Sequence, residues 1–138
     1  MKKYTSIALY AIGEIILYAS YWNRQALFHW FNHFLVGASV AMISFCIWII
    51  VTHKKVGQPL LWLYLAHIFA MIPDILYNVG HIPHQLWMDV FFGHISSHFI
   101  PGRNWTLYAI FIITLGIYLV LSKKILPSKS APNQTVSA

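Results

Sequence analysis

Charge, acid and cysteine are what this chain has least of. Only 9% of its 138 residues are charged, against 59% hydrophobic and 17% aromatic. That balance excludes an ordinary soluble domain and reads as one integral membrane domain. The single cysteine, Cys46, excludes an intrachain disulfide and, set in an apolar run, reads as a small core residue. The net charge of +6 comes from short basic clusters between apolar runs, with no continuous basic face, which excludes a nucleic-acid partner. There is no internal repeat and no CxxCH haem-attachment motif.

What is present is hydrophobic length. Four stretches, approximately 4–22, 32–52, 59–77 and 105–122, have the ~20 apolar residues needed to cross a hydrocarbon core about 30 Å thick. They predict an all-α fold, an integral membrane four-helix bundle. Lys2 and Lys3 before the first run resemble a signal peptide, but Glu14 interrupts the run and no small-x-small cleavage site follows, so it reads as a retained helix. Pro59 suits the first turn of the third helix, after the turn at Gly57 and Gln58. Pro73 is expected to loosen that helix near its end and leave carbonyls near Ile72 and Asp74 in need of partners.

Residues 84–100, bounded by Pro83 and Pro101-Gly102, are too short and polar to cross and predict an interfacial or re-entrant amphipathic helix. The membrane domain then covers 1–126, and the polar segment 127–138 reads as a disordered cytoplasmic tail. All lysines (2, 3, 54, 55, 123, 124 and 129) fall at one side and only Arg24 and Arg103 at the other. The positive-inside rule therefore puts both termini and the Lys54 loop in the cytoplasm. Tyr18, Tyr21, Trp22, Trp30, Tyr77, Trp87 and Trp105 form the aromatic belt of the opposite face.

Against this background the polar residues are conspicuous. Of eight histidines all but His53, beside Lys54 and Lys55, lie within or next to apolar stretches, as do all three acids, Glu14, Asp74 and Asp89. Ionisable groups there are costly unless they pair, line a cavity or hold a metal. The topology brings His29 and His33, Asp74, and the segment His81 to His98 to one membrane depth on the non-cytoplasmic side. His29 and His33, and again His94 and His98, are four apart, about 40° around a helix, so each pair offers two imidazoles to one ion. His84 lies about 40° from His98 on a continuous helix, whereas Asp89 lies about 140° from His94. The metal ligands expected from this pattern are His29, His33, Asp74, His84, His94 and His98. His67 sits deeper, His81 reads as a loop residue, and Glu14 pairs with Arg24 or a histidine, or acts with Asp89 as a catalytic base.

The stretches LFHWFNHFLVG at 27–37, MIPD at 71–74 and HIPHQLWMDVFFGHISSH at 81–98 resemble small integral-membrane metal-dependent hydrolases, a group that includes the LexA-binding inner-membrane hydrolase family. The resemblance covers residues 27–98 and implies a metal held by His29 or His33, Asp74, and His94 or His98. Ile75 and Leu76 stand where such relatives carry a second acid or histidine after the Pro-Asp pair, and the usual His-Arg and Thr-His-Ser signatures are missing. Nothing in the chain supports LexA binding.

Three functions follow as expectations. The first is a zinc-dependent hydrolase acting on a lipid or amphipathic ester or phosphoester at the outer leaflet, with Arg103 against an anionic head group. The second is a non-hydrolytic copper, iron or haem protein, or an accessory subunit of a membrane complex, docking as a homo- or hetero-oligomer through the ion-free fourth helix, with Met71 and Met88 as the nearby soft ligands. The third is a proton or ion relay through Glu14, His67 and Asp74.

Overall fold

The computed structural model describes residues 3–20 and 26–124 of the chain, with the side chains of 5–19 and 30–124. Among these residues there are four α-helices and no strand: α1 (Lys3–Ser20), α2 (Ala26–Thr52), α3 (Pro59–Gly80) and α4 (Arg103–Lys124). Three are long and apolar enough to span a membrane, Trp30–Thr52 within α2 and the whole of α3 and α4, while Thr5–Ala19 of α1 is a shorter apolar helix. The tail at 127–138, Arg24, Tyr21 and Trp22 lie outside the described residues, as does the side chain of His29.

Side-chain pairings fix the helix directions. Asn32 bonds Asn104 at 2.9 Å and Phe45 meets Tyr118, so α2 and α4 run parallel. Glu14 meets His67 while Leu17 packs on Met71, so α1 and α3 run parallel to each other. Trp30 and Phe34 on α2 meet His67, and Phe45 packs near Leu63, so α2 opposes α3. The result is an up-down-up-down bundle with α2 between α3 and α4. The Lys54–Lys55 loop and the Lys123–Lys124 end of α4 share one end, and residues 81–102 close the other.

α2 is central because its inward face is small and apolar. Leu35, Ala38, Ala41, Met42, Phe45, Cys46 and Ile49 are buried, which bears out the reading of Cys46 as core. At Gly37 a Cβ would come within 2.6 Å of the Ala66 carbonyl oxygen, so only glycine allows α2 and α3 this approach. Ser39, Ser44 and Thr52 return their hydroxyls to carbonyls four residues back, so they bring no unpaired donor into the apolar region. The outward faces carry Ile47, Ile50, Val51, Ile113, Ile117 and Val120, a surface suited to lipid.

Pro59 occupies the first turn of α3, as expected, after a left-handed Gln58. Pro73 does not end the helix, which continues to Gly80 and is closed by left-handed His81, whose N–H donates to the Leu76 carbonyl. A proline removes the bond to the carbonyl four residues earlier. The group that loses its donor is therefore the Phe69 carbonyl, not those beside Asp74.

Residues 84–100 are not one amphipathic α-helix. They form two 3₁₀ turns, Leu86–Val90 and Ser96–Phe99, joined through consecutive left-handed residues Phe92 and Gly93. Asp89 ties the turns together, accepting from Ser96 N–H at 2.8 Å and from Ser96 Oγ at 2.6 Å. The segment dips inward: Phe91 and Phe92 pack on Phe69, which at 1.5 Å per residue lies ~8 Å deeper than Asp74. Its middle therefore sits between the helix ends, where a single amphipathic helix was expected. Tyr77, Trp87 and Trp105 are exposed at this end.

Candidate metal centre

One carboxylate organises the site. Asp74 is buried near the end of α3, and the loop and α2 bring imidazoles to it from separate segments. Oδ2 lies 2.7 Å from His33 Nε2. Oδ1 lies 3.0 Å from His84 Nε2 and 3.5 Å from His94 Nε2. The same nitrogen of three rings thus points at one place. His33, Asp74 and His94 are all buried, each with a ligating atom within 4.8 Å of the others.

The rings are stacked in a column. His94 lies 5.0 Å from His33 at an interplanar angle of 4°, and 5.0 Å from His84 at 26°. His84 stacks in turn on Tyr77. Burial pushes His94 down to about 4, opposed by the Asp74 charge and reinforced by His33, His84 and His98. At neutral pH this ring is neutral, the form that ligates a metal.

The donor chemistry fits a divalent cation. Neither His94 Nδ1 nor Nε2 has a hydrogen-bond partner although both are buried, and the 3.5 Å approach to Asp74 is too long to serve as one. An unsatisfied buried polar group costs ~1–3 kcal/mol. A cation beside Asp74 would receive the Nε2 lone pairs and offset that cost. Imidazole and carboxylate donors suit zinc, iron or copper, and no thiolate joins them, since Cys46 is in the helix core. Met71 packs on Leu17 and Trp30 as core and is not directed to the site.

The expected residues divide accordingly. His33, Asp74, His84 and His94 come together. His98 stands beside His94, 5.5 Å between ring centroids, and is exposed. Its Nδ1 lies 2.8 Å from Arg103 Nη1; arginine only donates, so Nδ1 accepts and the ring proton sits on Nε2. Asp89 is absorbed by Ser96, whose hydroxyl and N–H hold the carboxyl below its usual range. Glu14 belongs elsewhere, with Oε2 2.9 Å and Oε1 3.1 Å from His67 Nδ1. Between that pair and Asp74 lies fully buried Met71, so no polar chain joins them along α3. His81 caps a helix and His53 is an exposed loop residue, as expected.

Two further residues shape the site without a signal in the sequence. Asn32 precedes His33 and bonds Asn104, fixing the start of α4 against α2. Ser96 fixes the loop through Asp89. The chain between Asp89 and Ser96 is broken at Phe92 and Gly93 and is not helical, so only the folded loop shows the pairing. No protein-family model, curated protein or solved structure matches this chain.

Proposed function

We propose that this chain is an integral-membrane metalloprotein whose centre is formed by His33, Asp74 and His94 with His84 as fourth ligand, that the metal is zinc, and that it hydrolyses an ester or phosphoester of an amphipathic substrate. The observation that carries the reading is the buried convergence of three donors within 4.8 Å, brought from two helices and a loop. The lysine distribution supports a site on the non-cytoplasmic face, with both termini in the cytoplasm.

Bound there, zinc would supply Lewis acidity toward an ester oxygen and lower the pKa of a water that takes the place of the exposed His84. The chain's own residues do the rest. Asp74 offsets one of the ion's two charges and orients the imidazoles. The stacked rings and the loop shield the centre from bulk water. His98, with its Nε2–H fixed by Arg103, is placed to donate to a departing oxygen. The resemblance of 27–37, 71–74 and 81–98 to membrane metal-dependent hydrolases points to the same chemistry.

The test is turnover of a fluorogenic amphipathic phosphoester and carboxylic ester by purified protein in detergent. Turnover should vanish on chelation, return with zinc and be absent in Asp74→Asn. Stoichiometric metal without turnover of either ester would contradict the hydrolase and favour the accessory-subunit reading.

A further inference from the structure

The apolar surface of α2 is hollowed along its length. A groove of about 660 Å³ runs between α2 and α3, with Val40, Phe45, Trp48 and Phe92 in its wall. A second hollow of about 310 Å³, between α2, α4 and the loop, shares Val40 and Phe92 with the first and adds Val36 and Ser97. Val36 and Ser97 also line a notch of about 10 Å³ whose other walls are Asn32, His33, His98 and Arg103. The three hollows adjoin through these shared walls, as a path along α2 from its lysine-bearing end, where Val56 and Gly57 line the first, to the His33 side chain. From Val36 to Trp48 it follows ~18 Å of helix, a length comparable with the ~15 Å that an acyl chain spans in one leaflet of a 30 Å core.

The two ends differ chemically. The long part is apolar. The notch has room for about one water-sized atom and is walled by the Arg103 guanidinium. Among the described residues Arg103 has no carboxylate partner, because Glu14 is with His67, Asp89 with Ser96 and Asp74 with the histidines. A guanidinium so placed, beside the Nε2–H of His98, complements a phosphoryl oxygen.

We infer that this path seats one acyl chain of an outer-leaflet lipid bearing a phosphate head group, with a phosphoryl oxygen in the notch and the adjoining ester beside His33. That this lipid is the substrate rests on the function proposed above; that it binds does not.

The test uses the full chain in detergent with two fluorescent probes, a monoacylglycerol phosphate and the uncharged monoacylglycerol of the same chain, and with zinc measured in every sample. The wild type should bind the phosphate probe at least tenfold more tightly. Arg103→Gln should erase that preference and leave the neutral probe unchanged. Val40→Trp and, at a more exposed position that tolerates bulk, Ile43→Trp should each weaken both probes about tenfold with unchanged zinc. Equal retention of both probes by the wild type, as annular lipid gives, or undiminished binding in both tryptophan variants, overturns the inference. The expected probe pattern in a zinc-free protein would uphold the lipid path while removing the metal-centre reading. Bound zinc with no probe discrimination would do the reverse.

Discussion

His33 and His94 lie face to face, 5.0 Å between ring centroids and 4° from parallel, although 61 positions apart in the chain. Both turn Nε2 toward the same buried carboxylate, Asp74. Two imidazoles removed from water and aimed at one point are costly as mere packing, and the arrangement becomes economical when a cation shares the point.

The ligands should rank by burial. His33→Ala and Asp74→Asn are expected to lose stoichiometric metal outright. His84→Ala, whose side chain is 33% exposed, should weaken affinity about 10- to 100-fold, the range of a supporting residue. His98→Ala should retain metal. Competition with a zinc-binding dye gives the order, and equal losses at His84 and His98 would contradict it.

Asp89 should behave as a loop tie and not as a base. With both oxygens on Ser96, Asp89→Asn should leave turnover within about threefold, where loss of a general base lowers rates ~10²- to 10⁴-fold. Hydrogen exchange at 89–97 should rise in the same variant. Unchanged exchange with abolished turnover would restore the catalytic role.

The Glu14–His67 pair should be structural. Glu14→Ala strands His67 Nδ1 beside an Nε2 that already lacks a partner, and should destabilise the protein by ~1–3 kcal/mol. Glu14→Gln, which keeps an acceptor, should cost less, and both variants should retain metal. Denaturant titration in detergent with parallel metal analysis decides this; intact stability with lost turnover would make Glu14 catalytic.

His94 gives the metal-free protein a pH dependence of definite sign. Its folded pKa, about 4, lies below the ordinary value near 6.5. Between these values the unfolded chain holds more protons, so stability rises with pH across that window and falls as pH drops from 6.5 toward 4. At ~1.4 kcal/mol per unit the span is at most ~3 kcal/mol. His94→Gln should flatten the profile measured by denaturant titration, and an unaltered slope would place the effect elsewhere.

Much of this was legible in the chain. The apolar runs, Pro59 and the clustered lysines yield four helices with the lysine-bearing ends together, and alternation of direction brings His33, Asp74 and the 81–98 segment to one depth. The ligand set was less so. Helical spacing pairs His94 with His98, but residues 84–100 follow no helical period once Phe92 and Gly93 turn left-handed and Asp89 binds Ser96. His94 meets His98 but also stacks on His33, from another helix, a proximity that spacing within one segment cannot encode. Pro73 suggested a loosened last turn and a helix to about residue 77 because its local cost is visible in sequence, while the packing that carries α3 on to Gly80 is not.

Elemental analysis of the protein, with X-ray absorption at the metal edge, decides whether one metal ion sits on His33, Asp74, His84 and His94. One zinc per chain is expected after dialysis, with nitrogen and oxygen neighbours only and scattering from about three imidazoles, all lost in Asp74→Asn. A wild-type protein that retains its fold with no stoichiometric metal, or a metal with sulfur neighbours, would contradict it.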